Sequence, residues 1–466
     1  MTEHHSTTEI LLRRKLDLLL RVGGILMESL ADTARILRNM RRAEAYLGLP
    51  EGYIHIYVSY NMLMVNLSDE KHSFTKFQRI DKHGVNMTAI SAMSKMLWTA
   101  IKEDYSLERF EQELDKIESM PRNYTPLQVA IGTGFACGGF CVQFGCDWTA
   151  FFYASIAAAV GMYLKGWLGR KGMNWLMGIA ISAFVATLLA WLSSFLSVNS
   201  TIAASLPSFL VSSTPWHPFM ACSLFIVPGV PLINFVSDMI NGYVDIGITR
   251  ATNILLMILA MSFGQAAAIY FCGVDNFMTD LSMTPHNNYI SFAIAAAVSA
   301  MGFSMIFNIP KRLLWAVAIG GIIAVCTRNF VNLGPSNNNI GLDQGLIIGS
   351  FAGSTLISII CTKAQHWLHT PHHCLSIPSV IPMIPGVLMY RALFGFLDMH
   401  GVVGELTAAT GNLMKASLVI LFISVGVAIP NIFVRRMITP SRKKKLLQMC
   451  VERRKLHDEM INLSDM

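Results

Sequence analysis

Formal charge is what this sequence has least of. Only 14% of its 466 residues are Asp, Glu, Lys or Arg, while 53% are hydrophobic; an average soluble domain carries about 25% charged residues. The shortage is concentrated: residues 127–433 hold ten Lys/Arg and eight Asp/Glu. That is too few to cover a soluble domain of this length, and it suits helices surrounded by lipid. Also missing is any G-x-x-x-x-G-K-[ST] run, which excludes a P-loop and with it an internal ATP motor. The nine cysteines lie mainly in apolar segments (Cys137, Cys141, Cys222, Cys326) rather than in a closely spaced framework, so no disulfide scaffold is expected. Glu9, Arg13, Arg14, Lys15 and Asp17 interrupt the leucines of the first twenty residues, leaving no signal-peptide core. Residues 1–122 show no catalytic triad or paired acid/base signature.

What is there begins with a charge-balanced segment, residues 1–122, expected to be a soluble α+β domain. An amphipathic helix is expected over Ile10 to Tyr46, broken near Ala31, followed by a hairpin over Tyr53 to Leu67, where Ile54, Ile56 and Val58 alternate with more polar residues. Lys76 to Ile80 offers another strand. Helices over Asn86 to Lys102 and Leu107 to Met120 follow, stopped by Pro121.

From Pro126 onward the pattern changes to apolar runs long enough to cross a bilayer as helices. Ten are expected: 126–144, 148–164, 175–196, 219–240, 251–271, 289–307, 312–328, 344–361, 375–395 and 412–433. The connection from Ser197 to Pro218 is itself apolar in part. Cytoplasmic loops carry the Lys/Arg excess. With the amino-terminal domain inside, the inner loops hold Lys165, Arg170 and Lys171, then Arg250, then Lys311 and Arg312, then Lys363. A basic tail, residues 434–466, completes them with Arg435, Arg436, Arg442, Lys443, Lys444 and Lys445. Such a tail, which accounts for most of the net charge of +7, reads as an anchor on an anionic membrane face rather than a nucleic-acid surface. The outer loops offer Asp147, Asp275, Asp280, Asp343, Asp398 and Glu405, whereas Arg328, Arg391 and Lys415 run against the scheme. Both termini are therefore expected in the cytoplasm.

The fourth run contains Val227-Pro228-Gly229-Val230 and the ninth Ile384-Pro385-Gly386-Val387, 157 residues and five spans later. An odd number of spans per half inserts the second half upside down. The expected architecture is therefore a mainly α-helical integral membrane protein, with ten transmembrane helices as a 5+5 inverted repeat in halves 123–272 and 285–433. Proline removes a backbone hydrogen bond and clashes with the preceding turn. In lipid such breaks survive where protein or a water-filled cavity satisfies them, and paired breaks in inverted halves point to a transporter's binding site. On this argument the candidate substrate-binding residues are Pro228, Gly229, Asn234, Asp238, Asn241, Pro385, Gly386 and Arg391. Asn234, Asp238 and Asn241 recur at helical spacing, with Asp245 continuing the stripe. Asp238, costly inside a membrane, is the candidate proton-coupling residue, and Arg391 is a partner for a substrate carboxylate or for Asp238, or a charge that snorkels to the interface. A metal rival rests on His366, His369, His372 and His373, which Pro371 interrupts. No metal or cofactor is expected, and Cys137 and Cys141, beside Gly134 and Gly138, are assigned to helix packing. A sensor with residues 1–122 as its output domain is a further alternative. Expected partners are a small-molecule substrate and the lipid bilayer but no nucleic acid, and a homo-oligomer stays open.

Several motifs in order give the chain a specific resemblance. They are Gly23-Gly24-Ile25-Leu26-Met27-Glu28-Ser29, Ala43-Glu44-Ala45-Tyr46-Leu47-Gly48-Leu49, and Val227 to Asn234 with Asp238 and Gly242. Phe303 to Pro310 and Val380 to Gly386 complete the set. Across nearly its whole length the chain resembles the threonine/serine exporter family. The resemblance implies a bacterial inner-membrane exporter, not an enzyme, that moves small hydroxy amino acids outward at the expense of the proton gradient, with a cytoplasmic amino-terminal domain. Related two-subunit systems are linked with succinate export, so a small dicarboxylate is the alternative substrate. The chain departs from the family at Glu28-Ser29-Leu30-Ala31-Asp32, where many relatives look more like ESGAET.

Overall fold

The computed structural model describes residues 2–49, 52–68, 73–273, 288–335, 340–397 and 403–430. The basic tail, Asp275, Asp280 and Asp398 lie outside the described residues, as does the side chain of His366. The chain divides into two compact units, one containing Met1–Pro121 and Ser237–Arg250, the other Arg122–Val236 and Ala251–Pro430.

In the first unit, helices α1 (Thr2–Glu28) and α2 (Thr33–Tyr46) are separated where a break was expected. The turn holds Leu30 at φ 57°, a left-handed conformation that costs a side-chain-bearing residue about 1–2 kcal/mol. Asp32 caps α2, accepting from the Arg35 N–H at 2.9 Å and pairing with Arg35 Nε at 3.0 Å. Strands β1 (Ile54–Val58), β2 (Met62–Ser68) and β3 (Ser73–Arg79) form an antiparallel sheet in chain order, registered Ile54 to Leu67 and Met64 to Phe77. Alternation along β2 buries Leu63, Val65 and Leu67 on one face, and α1 covers the sheet. Helices α3 (Met87–Lys102) and α4 (Leu107–Glu118) start at the capping residues Asn86 and Ser106. Leu16, Leu19, Leu26, Ile36, Met40, Leu97 and Phe110 make the core.

The second unit is built almost entirely of helices. They are α5 (Pro126–Gln143), α6 (Trp148–Arg170), α7 (Trp175–Val198), the short α8 (Ser200–Ser205) and α9 (His217–Ala221), and α10 (Gly229–Ile240) and α11 (Val244–Phe271), whose Ser237–Arg250 portion belongs to the first unit. Then come α12 (Tyr289–Ile306), α13 (Leu314–Asn332), α14 (Leu346–Leu368), α15 (His373–Val380), α16 (Gly386–Leu397) and α17 (Val403–Pro430). Among the described residues seven helices are long and apolar enough to cross a membrane, or nine if each of two bent pairs counts as one span. The ten-span expectation differs at α5, an 18-residue helix that is not among them because four glycines and two glutamines dilute its apolar character. The fifth and tenth runs begin earlier than expected, at Val244 and Val403, so Asp245, Arg250 and Glu405 are helical. The connection after α7 is anchored by Asp147, the N-cap of α6, which accepts from Ser213 N at 2.6 Å and Ser212 Oγ at 2.9 Å. Burial works to raise the Asp147 pKa, but these hydrogen bonds and that from Ala150 N outweigh it and hold the carboxyl below its ordinary value.

Candidate functional site

Both proline breaks are repeated in backbone detail. The Gly229 N–H donates to Val227 O at 2.9 Å, and the Gly386 N–H to Ile384 O at 2.8 Å. A short 3-10 turn precedes each, Leu224–Ile226 and Ile381–Met383, and the helices bend by 60° and 51° across the two breaks. The breaks also meet. A Cβ on Gly229 would lie 2.6 Å from Ile381 and 2.8 Å from Ile384, and one on Gly386 would lie 2.6 Å from Leu224. Since Leu224 stands 157 residues before Ile381, as Gly229 does before Gly386, the contact is reciprocal. Glycine lets the two breaks approach this closely, since a Cβ at either position would displace the tips of the facing Ile or Leu side chains.

Helices α5 and α12 show the same reciprocity. A Cβ on Gly139 would lie 2.7 Å from Ala295 O, and one on Gly302 would overlap Gly132 O. Gly139 and Gly302, like Gly132 and Ala295, are 163 residues apart. Midway, Ser299 Oγ donates to Ala136 O at 3.1 Å, again a pair separated by 163. Partner numbers fall along α12 as they rise along α5, so the two helices run antiparallel.

Asp238 is fully buried in the first unit. Its Oδ1 accepts from the Thr33 N–H at 2.9 Å, and its Oδ2 lies 3.1 Å from Arg250 Nε. Arg250 in turn donates through Nη2 to Ala31 O at 2.8 Å. The carboxylate therefore sits on the N-terminus of α2, where unpaired N–H groups and the helix dipole favour an anion, and a guanidinium neutralises it. Tyr243 lies nearby, its hydroxyl pKa raised by burial and by the charges of Asp238 and Asp32, so it stays protonated.

The remaining candidates separate. Asn234 is buried on α10 and Arg391 is half-buried on α16. Asn241 falls beyond the end of α10, exposed, its Nδ2 donating to Ser237 O at 2.6 Å. Gly242, at φ 86°, then turns the chain, so Asp245 belongs to α11 and the expected polar stripe ends at Asp238. His369 caps α14 in a left-handed conformation, while the rings of His372 and His373 lie 3.9 Å apart at the start of α15. Sequence reasoning passed over Arg250, counted only as a loop charge, and Thr33. The available signals were an isolated Arg twelve residues after an isolated Asp, and the ESGAET-like segment that supplies Ala31, Asp32 and Thr33. It also missed Gln265, fully buried on α11, whose Nε2 donates to Ser223 Oγ and, at 3.4 Å, to Phe219 O.

Comparison with known proteins bears on the whole chain. The threonine/serine exporter family model ThrE matches residues 17–272, and a second model, "Threonine/Serine exporter, ThrE", matches residues 292–433. The "Threonine/serine exporter" of Corynebacterium glutamicum is 23% identical over 461 residues, 95% of this chain and 86% of that protein. The "Probable succinate transporter subunit YjjP" of Escherichia coli K12 is 24% identical over 257 residues, 55% of this chain and 94% of that protein. No solved structure matches the chain. With its apolar helices and matches along both parts of its length, the chain is an integral membrane protein that belongs to the threonine/serine exporter family.

Proposed function

We propose that this protein is a proton-coupled secondary exporter of small hydroxy amino acids, serine and threonine, in the bacterial inner membrane with both termini cytoplasmic. The observation that carries the reading is the reciprocal crossing of the two proline breaks. Broken helices crossing at a pseudo-two-fold position are where transporters of this build bind substrate. The antiparallel pairing of α5 with α12 supports a 5+5 inverted repeat, in which α5 to α11 and α12 to α17 are the two halves and α5 is counted as a span. Residues 1–122 are then a cytoplasmic domain, 123–272 and 285–433 the membrane halves, and 434–466 a cytoplasmic tail.

In this mechanism the half-helices after Pro228 and Pro385 direct the first-turn N–H groups that follow Gly229 and Gly386 at the substrate carboxylate. Asn234 and Arg391 add polar contacts, and Asn241 lines the inner exit. Asp238 takes and releases the coupled proton, and its pairing with Arg250 gives protonation a structural consequence, because a neutral Asp238 no longer holds the guanidinium. Rocking of one half against the other alternates access. Similarity over 257 residues to a protein described as a probable succinate transporter subunit favours a second reading, export of a small dicarboxylate.

Counterflow in proteoliposomes, with serine, threonine and succinate as competing substrates, decides between the two. Serine and threonine are expected to exchange, and exchange of succinate alone selects the second reading. Asp238→Asn is expected to abolish transport driven by an imposed pH gradient; normal driven transport by this variant removes the proton role.

A further inference from the structure

Ser223 and Gln265 form a buried polar pair beside the first break that the transport mechanism has not used. Ser223 immediately precedes Leu224, the residue that packs on Gly386. Gln265 donates from Nε2 to Ser223 Oγ and to Phe219 O. A carbonyl can only accept, so the bond to Phe219 O fixes which way the amide points. Its Oε1 is then an acceptor, buried from solvent and without a hydrogen-bond partner among the described residues. A buried acceptor left unpaired is costly and asks for a reason.

The second half supplies an internal control. Ser223 stands before the 3-10 turn Leu224–Ile226 as Val380 stands before Ile381–Met383. Gly264 packs on Ala180 O and Gly426 on Phe351 O, and Ala180 and Phe351 are each the sixth residue of their helices, α7 and α14. Gly264 therefore corresponds to Gly426, and Gln265 to Val427. Val380 and Val427 are both buried. At the place where one half packs two valines, the other carries a serine and a glutamine with a spare acceptor. Apolar packing satisfies the architecture here, so the polar pair answers to something other than folding.

We propose that Gln265 is a specificity-determining residue of the transport site, with Oε1 accepting the side-chain hydroxyl of the substrate and Ser223 positioning the amide. This rests on the exporter reading above. The chemistry separates the candidate substrates: serine and threonine bring a donor to Oε1, alanine brings none in its side chain, and a dicarboxylate anion offers only acceptors. A site built to bond a hydroxyl discriminates against the analogue that lacks it.

The test is counterflow of radiolabelled serine by the full-length protein in liposomes, competed by serine, threonine, alanine and succinate. Wild type is expected to prefer serine over alanine. Gln265→Val, which copies the second half, is expected to lose at least about tenfold of that preference while still exchanging alanine. Gln265→Glu, which keeps an acceptor, is expected to retain it. An unchanged serine-to-alanine ratio in Gln265→Val overturns the assignment while leaving the exporter reading intact. Absence of serine exchange in wild type overturns the reading itself. If Gln265→Val exchanges nothing, the ratio is measured by thermal stabilisation of the purified protein with each ligand. Stabilisation by alanine without serine preference supports the assignment, and no stabilisation by either makes Gln265 structural and overturns it.

Discussion

In the first unit, α1 and α4 face each other with Arg14 against Glu111 at 2.7 Å and Arg21 against Asp115 and Glu118, both at 2.6 Å. In the second, α5 and α12 meet through Gly132, Gly139, Gly302, Ala136 and Ser299. Long charged side chains reach across a gap that water can fill, and each such pair contributes little, about 0–1 kcal/mol. Between α5 and α12 small residues bring the backbones close instead, the packing that serves helices where water supplies no drive to associate. Buried hydroxyls follow the same division. Ser155, Ser182 and Ser304 in the second unit donate to carbonyls four residues back in their own helices, which removes an unpaired group without a partner from elsewhere.

The Asp238–Arg250 pair, like Asp32–Arg35, departs from this pattern in the first unit, buried as the second unit's helix contacts are but ionic. Removing one member of such a pair leaves a buried charge uncompensated, at about 3–5 kcal/mol. Arg250→Ala is therefore expected to lower the thermal midpoint of the purified full-length protein more than any surface change. Adding Asp238→Asn should restore part of the loss, because the orphaned carboxylate goes with it. A double variant as unstable as the sum of the two single variants would show that the pair is not coupled.

Glycine sharpens the contrast at smaller magnitude. A Cβ at Gly302 would strike the backbone of α5, overlapping Gly132 O and lying 2.9 Å from Ala136 N, whereas one at Gly23 would meet the side-chain ends of Leu63 and Met40. Backbone cannot yield, but a methionine thioether can. Gly302→Ala is expected to cost about 1–3 kcal/mol, as overpacking does, and Gly23→Ala less than about 1 kcal/mol. Equal losses of thermal midpoint would mean that the α5–α12 crossing can widen freely.

Much of the first unit was legible because each element carries its own local signal. Alternation marked the hairpin, and amphipathic periodicity marked the helical stretch that breaks near Ala31. The proline breaks were equally legible, since Pro-Gly interrupts apolar helix in few ways. The clustering of Ala31, Thr33, Asp238 and Arg250 was not, because nothing in the periodicity of α10 says which distant turn will present an N–H to its last carboxylate. The polar stripe failed for a local reason: Gly242 takes a positive φ, so spacing that assumes one continuous helix misplaces Asn241 and Asp245. Gln265 was hidden because a single amide in an apolar run has no pattern until the second half shows valine at the corresponding position.

The smallest expected effect concerns pH and belongs to the first unit alone. His83 has its pKa lowered from the ordinary 6.5, chiefly by burial and further by the charge of Arg250, while its contact with Met27 O works the other way. The folded ring is thus neutral where the unfolded chain's is becoming charged. As pH falls through about 6.5 the unfolded state takes up a proton that the folded state does not, so stability declines on acidification and is recovered above that value. Because the ring is only part-buried the slope is shallow, and His83→Gln should flatten it. The measurement is the thermal midpoint at pH 7.5 and 5.5 for wild type, His83→Gln and Arg250→Gln. Losing the Arg250 charge relieves the neighbouring imidazolium, so Arg250→Gln, though less stable throughout, should show a weaker dependence on pH than wild type. An identical slope in wild type and His83→Gln would assign the acid sensitivity to other groups and remove His83 from the account.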